Sequence, residues 1–295
     1  MYSLEQLLDA CQLAVIAGMK VVRQYQLHGV PLSEVKQADQ TLVTAADRQS
    51  GLAVRQLIRE KLPEIAILGE DMDGLEFSSQ LLALIDPLDG TRAFANGLIT
   101  STVIAGIYDR WNKRLICCVV GEPISGRIWL ASQNTHTHKM LIRADKNVME
   151  QNVTVWNGPL DMQSTVLIDL SHGFTSRGRQ ILSNKQIAEL FGSLNYLATI
   201  LMAGSNGLHQ ALVANGGEKL AGSITTATGG PWDICGALLV LQAGGTAQGL
   251  AMGDDRLLTL IDPLDVLHYD ILVTGNSQAT VDTLVSKILA VNGQS

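Results

Sequence analysis

The chain lacks any hydrophobic run long enough to cross a membrane, and it lacks any long run of basic residues. Its longest apolar stretches are residues 81–85 and 234–241, and Gly236 interrupts the second; a membrane helix needs about 20 apolar residues. Among 295 residues, 21 Lys and Arg stand against 28 Asp and Glu, a formal net charge of −7. Such a chain is a poor binder of nucleic acid or anionic lipid. We therefore expect neither a nucleic-acid polymer nor a membrane among its partners.

Cysteine is scarce, and its spacing fits neither a CxxC pair nor a zinc site. The chain has four cysteines: Cys11, Cys117, Cys118 and Cys235. We expect them to be buried, reduced thiols, as is usual for a cytoplasmic protein. Near the N-terminus, Glu5 and Asp9 stand where a secretory leader would carry basic residues. These features together predict a cytoplasmic protein.

The pattern of apolar residues predicts a different arrangement of helices and strands in the two parts of the chain. In the first part the pattern predicts helices at 3–26 and 46–61, buried strands at 65–68 and 81–85, and an antiparallel sheet over 102–141. In the second part it predicts a strand at 166–170 and helices at 205–214, 232–243 and 278–291. The sequence thus predicts a mixed α/β (α+β) fold. We expect two domains, at residues 1–150 and 151–295, with a soft boundary near 145–152.

The segment ALIDPLDGT, residues 83–91, combines an apolar strand with two carboxylates three positions apart. Pro87 restricts the turn, and Gly90 allows the backbone to bend or to approach a ligand closely. Thr91 can begin a helical turn, whose free N–H groups suit a phosphate. An aspartate-rich turn at the end of a strand, without function, would look the same. This segment alone therefore leaves both interpretations open.

Two further acidic positions favour a functional site over a purely structural turn. Glu70 follows a short predicted strand, and Asp233 lies at a helix start after a double-glycine turn. Taken singly, each fits a structural role. Two carboxylates about 4 Å apart repel by roughly 4 kcal/mol at an effective dielectric constant near 20, so a cluster of four calls for a cation or raised pKa values. Hard oxygen ligands of this kind suit Mg²⁺.

The sequence IDPLD occurs a second time, at residues 261–265. This copy continues with Val266 and Leu267, where the first continues with Gly90 and Thr91. Since the second copy lacks the Gly-Thr pair that would hold an anion, we interpret it as a coincidental turn and not as a second site.

In combination, these motifs resemble the inositol monophosphatase family, which belongs with the fructose-1,6-bisphosphatases and 3′-phosphoadenosine-5′-phosphate phosphatases. The segments that carry the resemblance are, in order, Val35-Lys36, LVTAAD at 42–47, Glu70, IDPLDGT at 85–91 and GGPWDICGALLVLQAGG at 229–245. None is specific alone, but the combination in this order is, and it extends from about residue 4 to 290. The resemblance implies a layered α-β-α-β-α sandwich.

The resemblance also implies a role for each matching residue. Metal ions would be held by Glu70, Asp86, Asp89, Asp233 and the carbonyl of Leu88. Catalysis would rest on Asp47 and Thr91, which orient the attacking water, together with Glu70. Substrate would contact Asp89, Gly90, Thr91, Gly204, Ser205 and Asp233. The implied cofactor is Mg²⁺, the substrate is a small phosphorylated molecule, and inhibition by lithium and a homodimer are expected.

One departure from the family pattern leaves the substrate open. Members specific for inositol carry a glutamate about seven residues before the aspartate of the WD pair, and Thr226 stands here. An inositol or sugar phosphate, or a 3′(2′),5′-bisphosphate nucleotide, remains possible as substrate, and so does a catalytically silent relative that binds or regulates. Four basic residues are candidates for a further phosphate contact, although each also suits a solvated surface: Arg92, Lys139, Arg177 and Arg179.

Overall fold

The computed structural model describes residues 2–29, 34–35, 42–70, 79–143, 146–169, 173–253 and 258–293. Lys36, part of one resembling segment, lies outside these ranges. The helices are α1 Leu4–His28, α2 Ala45–Lys61, α3 Thr91–Ala95, α4 Asn184–Asn195, α5 Asn206–Ala214, α6 Ala237–Gln242 and α7 Gln278–Val291. The first nine strands are β1 Glu34–Val35, β2 Leu42–Val43, β3 Ala66–Gly69, β4 Leu81–Asp89, β5 Thr102–Asp109, β6 Arg114–Gly121, β7 Arg127–Ser132, β8 His138–Arg143 and β9 Lys146–Asn152. The others are β10 Thr165–Ile168, β11 Thr175–Ser176, β12 Arg179–Gln180, β13 Thr199–Leu201, β14 Leu220–Thr226, β15 Thr246–Met252, β16 Leu258–Ile261 and β17 Ile271–Gly275.

Both predicted N-terminal helices are confirmed, and each begins at a capping box. Ser3 and Gln6 form the box of α1, in which the Ser3 hydroxyl accepts from the Gln6 N–H at 3.2 Å. Thr44 and Asp47 form the box of α2. Such boxes satisfy N–H groups that have no partner inside the helix. The position of Asp47, a predicted catalytic residue, is therefore determined by the start of α2.

The first sheet has seven strands in the order β3-β4-β5-β6-β7-β8-β9, and all neighbours are antiparallel except the parallel pair β3 and β4. The predicted antiparallel sheet over 102–141 is thus confirmed. Side chains of β4 alternate between its faces. Ala83 and Ile85 pack with α1 and α2, whereas Leu82 and Leu84 pack with α5 and α6.

The second sheet has six strands in the order β13-β10-β14-β17-β15-β16. β10 runs parallel to both of its neighbours, and the remaining pairs are antiparallel. One face shares a core with α5, α6 and the first sheet, and the other packs on α4 and α7. The layers are thus helix, sheet, helix, sheet, helix, which confirms the expected sandwich.

One predicted helix differs from the structure, and the predicted division into domains is not tested by it. The helix predicted at 232–243 is divided into a 3₁₀ turn, Pro231–Ile234, and α6. The break falls where α5 approaches closely, because a Cβ on Gly236 would lie 2.3 Å from Gln210 Oε1. β9 crosses residue 150 and pairs with β8, and the division into domains 1–150 and 151–295 stays a prediction.

The second IDPLD copy forms a turn of the same local shape as the first. The Leu264 N–H donates to Asp262 Oδ1 at 2.9 Å, as Leu88 N–H donates to Asp86 Oδ1 at 3.0 Å. Here, however, Asp262 is exposed, and Asp265 accepts from the hydroxyl of Tyr108. The repeat is a shared turn and not a second carboxylate cluster.

All four cysteines are buried and free of disulfides, as expected for reduced thiols. Within the described ranges, every helix is too short or too polar to span a lipid bilayer. The two large sheets, with helices between them and on their outer faces, therefore make up most of the described fold.

Gly18 lets α1 approach α2 and β5 closely, and we expect Gly18→Ala to destabilise the fold. An added Cβ would lie 2.8 Å from Ser50 Oγ and from Val54 Cγ2. Overpacking of this kind costs about 1–3 kcal/mol. The matched control is Gly192→Ala in α4, because nothing lies within 4 Å of that Cβ position; it should hold or raise the free energy of unfolding by up to about 1 kcal/mol. Thermal unfolding of both variants tests this, and equal Tm values would contradict it.

Candidate active site

The turn at the end of β4 directs its two aspartates into one cavity. Asp86 Oδ1 accepts from the Leu88 N–H at 3.0 Å, which closes the turn around Pro87. Gly90 then adopts φ +85°, and a Cβ there would lie 2.6 Å from the Gly204 carbonyl oxygen. Glycine is needed here both for the left-handed conformation and for the close approach. The turn after β4 and the turn before α5 are thus packed together.

The structure brings the predicted acidic residues together. Carboxylate oxygens of Asp86, Asp89 and Asp233 all lie within 4.8 Å of one another. These three residues are 3%, 6% and 5% exposed. Glu70 and Leu88 line the same cavity. All five predicted metal ligands therefore face or line one space, although they are separated by up to 163 positions in the chain.

Asp89 is held by four donors. Its Oδ2 accepts from the hydroxyls of Ser205 at 2.6 Å and Thr102 at 2.9 Å, and from the Gly207 N–H at 2.7 Å. Its Oδ1 accepts from the Asn206 N–H at 3.2 Å. Asp89 therefore lies at the N-terminus of α5, where the helix dipole favours a negative charge. These bonds join the first sheet to the helix layer at the site itself.

Asp233 is positioned by the double-glycine turn that precedes it. Its Oδ2 accepts from the N–H groups of Gly229 at 2.7 Å and Gly230 at 3.3 Å. From α5, Gln210 Nε2 donates to the Asp233 backbone carbonyl at 2.7 Å. The same helix thus contacts both Asp89 and Asp233, and it sets the distance between them.

The electrostatics of the cluster follow from burial and like charge. Burial, followed by the charges of Glu70, Asp89 and Asp233, raises the pKa of Asp86 well above its ordinary range. The pKa of Asp233 is likewise raised well above that range by burial and by the Asp89 charge. Burial also raises the pKa of Asp89, although its hydrogen bonds oppose the shift. The cluster therefore calls for positive charge in the cavity.

Asp47 and Thr91 form a connected pair beside the cavity. Thr91 Oγ1 lies 2.8 Å from Asp47 Oδ1 and 2.9 Å from the Leu88 carbonyl oxygen, and its proton can be donated to either. Asp47 Oδ2 accepts from the Thr44 N–H at 2.7 Å and the Thr44 hydroxyl at 2.6 Å. Burial raises the pKa of Asp47, and the bonds from Thr44 and Thr91 partly offset the shift. Thr91 itself lines the cavity.

Of the residues expected to contact substrate, some line the cavity and one, Ser205, is buried behind it. Gly90, Thr91 and Gly204 line the cavity. Ser205 is fully buried, and its hydroxyl donates to Asp89. Its immediate function in this structure is to position Asp89, and a substrate contact at Ser205 stays a prediction.

Sequence analysis missed four residues that form or support the site. Thr102 supports Asp89, while Asn206, Asp169 and Thr228 line the cavity. Thr102 begins β5, and no motif distinguishes it from other strand residues. Asp169 follows β10, so an acidic residue at the end of a predicted strand was the signal that could have found it.

Of the four basic candidates, Arg92 lines the cavity. Arg177 donates from Nη2 to the Tyr269 carbonyl oxygen at 3.0 Å. Arg179 lies 3.5 Å from Asp270 and is largely exposed. Lys139 lies in β8. Arg92 is thus the candidate among them that lines this site.

Residues 3–289 match the sequence profile of the Inositol monophosphatase family. The chain belongs to that family. It is 24% identical over 276 residues to a fructose-1,6-bisphosphatase/inositol-1-monophosphatase of Aquifex aeolicus, covering 92% of this chain and 96% of the relative. It is 32% identical over 129 residues to the 3′(2′),5′-bisphosphate nucleotidase CysQ of Escherichia coli, covering 43% of this chain and 48% of CysQ. Membership in the inositol monophosphatase family supports a phosphatase.

Solved structures share the inositol monophosphatase fold. The extragenic suppressor protein SuhB of Bartonella henselae superimposes with a TM-score of 0.73 at 18% identity, over 96% of this chain and 97% of that one. The inositol monophosphatase of Anabaena gives 0.70 at 20% identity, over 97% and 96%. At these identities the match concerns the fold.

The acidic cavity of this inositol monophosphatase relative fits a hard divalent cation. Three buried carboxylates meet there, Glu70 lines the wall, and the Leu88 carbonyl retains a second lone pair beside its bond from Thr91. Oxygen donors of this kind are those that Mg²⁺ prefers. Asp86, Asp89 and Asp233 could therefore hold a metal ion, with Glu70 and Leu88 lining the same cavity.

Asp233→Asn tests whether repulsion among the carboxylates is real. A carboxyl whose folded pKa is raised contributes stability below its unfolded pKa of about 4, and that contribution is lost as pH rises through the folded pKa. In EDTA at neutral pH, we therefore expect Asp233→Asn to raise Tm, and to reduce the further rise that millimolar MgCl₂ gives the parent protein. Asp282→Asn, on the exposed surface of α7, is the control and should change neither. A lower Tm for Asp233→Asn in EDTA would contradict the assignment.

Thr102→Val tests the support of Asp89. Valine keeps the shape of threonine but loses the hydroxyl that donates to Asp89 and lies 3.0 Å from Ser205 Oγ. Loss of an outer partner of a metal ligand typically lowers metal affinity by on the order of 10-fold or more. We expect Mg²⁺ binding, measured by calorimetry, to weaken by about 10-fold, and Thr102→Ser to restore it. Unchanged binding in the valine variant would remove Thr102 from the site.

Proposed function

We propose that the protein is a Mg²⁺-dependent phosphatase that hydrolyses a small phosphate monoester, an inositol or sugar phosphate, by direct attack of water. The observation that carries the proposal is the meeting of Glu70, Asp86, Asp89 and Asp233 at one cavity, beside the hydrogen-bonded pair of Asp47 and Thr91. Carboxylates in this arrangement suit a metal, and the pair beside them suits a water nucleophile.

The acidic residues and the Leu88 carbonyl would hold Mg²⁺, with Asp86, Asp89 and Asp233 forming the buried part of the ligand set. When bound, Mg²⁺ supplies a lowered pKa for a water ligand and stabilisation of the departing alkoxide oxygen. The protein contributes the rigidity of this set, since Asp89 is held by four donors and Asp233 by two backbone N–H groups.

Asp47 and Thr91 would orient the attacking water. The Thr91 proton is directed toward Asp47 Oδ1 or the Leu88 carbonyl, so the lone pairs of Thr91 Oγ1 remain to accept a proton from water. Asp47 cannot rotate without breaking both bonds from Thr44. A water that donates to Thr91 therefore has a fixed direction. Glu70 lines the same cavity and would take part in catalysis alongside its metal role.

The phosphate would lie at the turn of Gly90 and Thr91, against the metal ligands, with Gly204 and Ser205 on the substrate side. This placement is supported by the close approach of Gly90 to Gly204, which brings both turns to one wall. Asp89 and Asp233, which belong to the same wall, would contact substrate as well as metal.

A second candidate is a 3′(2′),5′-bisphosphate nucleotidase. It is supported by Arg92, a cation that lines the acidic cavity and the larger pocket beside it, where a second phosphate could bind. A catalytically silent binding or regulatory relative has weaker support. The predicted acidic residues line one cavity, and Thr91 is hydrogen-bonded to Asp47 beside it. A homodimer, a cytoplasmic location and inhibition by lithium also remain proposals.

The proposal is tested by phosphate release from a panel of monoesters, including inositol, sugar and bisphosphate nucleotide substrates. We expect release with MgCl₂ and its loss in EDTA. Preference for the nucleotides would favour the second candidate. Background rates for the whole panel would favour the silent relative and refute the proposed activity.

Thr91→Ala should lower kcat much more than it changes KM, because the water loses its acceptor while the metal ligands stay. Groups that orient or activate a reacting proton contribute about 10²–10⁴-fold, so we expect a loss of at least about 10²-fold in kcat. Thr91→Ser keeps the hydroxyl and should retain most of the activity. A raised KM with unchanged kcat would instead make Thr91 a binding residue.

A further inference from the structure

The double-glycine turn that holds Asp233 is bonded in turn to a β-hairpin. The Gly229 N–H donates to Asp233 Oδ2 at 2.7 Å. The carbonyl group just before that N–H belongs to Thr228, and it accepts from the Arg177 N–H at 3.0 Å. Because a trans peptide unit is planar, its carbonyl and its N–H lie in one plane and point in opposite directions. The bond from Arg177 therefore fixes the direction of the N–H group that Asp233 accepts.

The hairpin that carries Arg177 consists of β11 and β12, joined by a two-residue turn. Ser176 pairs with Arg179, and Arg177 and Gly178 between them have φ values of +50° and +75°. Two-residue hairpin loops with positive φ at both positions are type I′ turns, in which Asn-Gly is the preferred pair. The backbone conformation gives arginine no advantage at position 177, so any advantage of arginine there lies in its side chain.

The Arg177 side chain binds carbonyl groups that follow the second IDPLD copy. Its Nη2 donates to the Tyr269 carbonyl oxygen at 3.0 Å and to that of Val266 at 3.4 Å. The buried Tyr269 restrains this segment, because its hydroxyl donates to the Pro263 carbonyl oxygen at 2.8 Å. A guanidinium group presents its donors in a rigid plane. Arg177 therefore joins the hairpin to a restrained part of the chain in a defined orientation.

Further bonds hold the hairpin against the residues just before the double-glycine turn. The Arg177 N–H is shared between the Thr228 carbonyl and the Ala227 carbonyl, which lies at 2.9 Å. Thr228 Oγ1 donates to the Thr175 carbonyl oxygen at 3.3 Å. The Ala227 N–H donates to the Asp270 carbonyl oxygen at 2.9 Å. Residues 227–228 are thus held on both sides, and the chain enters the turn before Asp233 from a defined position.

Arg177 is placed to affect the site through the backbone. Thr228, Gly229 and Asp233 line the acidic cavity, and Arg177 is absent from that lining. Its guanidinium is directed to backbone carbonyls, so a direct contact with substrate or metal is not its role in this structure. An effect of Arg177 on the cavity would pass to the Thr228 carbonyl and from there to Asp233.

We propose that Arg177 is a positioning residue for Asp233, and that it acts through the peptide unit that joins Thr228 and Gly229. This rests on the Mg²⁺ site of the proposed function. It also gives the second IDPLD copy a structural part in that site, because the carbonyl groups that anchor Arg177 follow this copy directly in the chain.

Arg177→Asn tests the anchor while keeping the turn, because asparagine is favoured where a type I′ turn requires a positive φ. We expect the dissociation constant for Mg²⁺, measured by calorimetry, to rise by about 10-fold, as is typical when the outer support of a metal ligand is lost. Arg177→Lys keeps a flexible cation with three donors and should recover part of the affinity.

The matched control is Arg179→Gln in the same hairpin. The Arg179 side chain is 57% exposed and lies 3.5 Å from Asp270, so this variant removes the other cation of the hairpin without removing the anchor. It should leave the affinity for Mg²⁺ unchanged. Tm in EDTA separates positioning from folding. If Arg177→Asn lowers Tm in EDTA but the folded variant binds Mg²⁺ as tightly as the parent protein, the residue is merely structural and the proposal is wrong.

A double variant tests the route through Asp233. Asp233→Asn alone is expected to reduce the rise in Tm that millimolar MgCl₂ gives the parent protein. Adding Arg177→Asn should reduce that rise no further, because residues that act through one another have non-additive effects. An equal further reduction in the parent and in the Asp233→Asn background would show that Arg177 acts by another route.

The outcomes separate this proposal from the general one. If the parent protein binds no Mg²⁺, the proposed metal site and the role of Arg177 are both refuted. If the parent binds Mg²⁺ and Arg177→Asn binds it equally well, the positioning role is overturned and the proposed function stands. Equal weakening by Arg177→Asn and Arg179→Gln would assign the effect to the charge of the hairpin, and it would also overturn the proposal.

Discussion

Mutual repulsion among buried carboxylates is the constraint around which this structure is built. Asp86, Asp89 and Asp233 bring their oxygens within 4.8 Å of one another, and all three side chains are buried. They stay together because Asp89 and Asp233 are fixed by donors that belong to the fold, and Asp86 is fixed by its own turn.

Helix α5 provides much of that restraint. Its first N–H groups hold Asp89, and Gln210, one turn later, holds the backbone of Asp233. The helix lies between the two sheets, so the packing of the layers determines how close these carboxylates come. The packing of α5 therefore contributes both to the sandwich and to the geometry of the carboxylate cluster, since α5 contacts Asp89 and Asp233 directly.

The sequence was sufficient for the features that depend on local pattern. Apolar periodicity predicted α1, α2 and the first part of β4, and the residues around Pro87 predicted the turn that follows the strand. The convergence of Glu70, Asp86 and Asp233 was predicted from family resemblance, because no spacing rule joins residues so far apart. Thr102 and Asn206 were not predicted, since their roles depend on how β5 and α5 meet. The break before α6 was also missed, because the apolar pattern continues through Gly236, whereas the close contact of Gly236 with Gln210 is visible only in the folded structure.

In the proposed phosphatase, chemistry and substrate recognition would be carried by different parts of this framework. The proposed metal ligands come from the ends of β3 and β4 and from the turn before α6, where Asp86 is fixed by its own turn and Asp233 by two backbone N–H groups. The pocket beside them is lined by the ends of β10 and β13 and by α3 and the turn after it. The buried cluster allows little change by substitution, because Asp89 and Asp233 depend on donors from α5 and from the double-glycine turn. Several residues that line the neighbouring pocket, such as Leu98 and Met202, are exposed and are not held in this way.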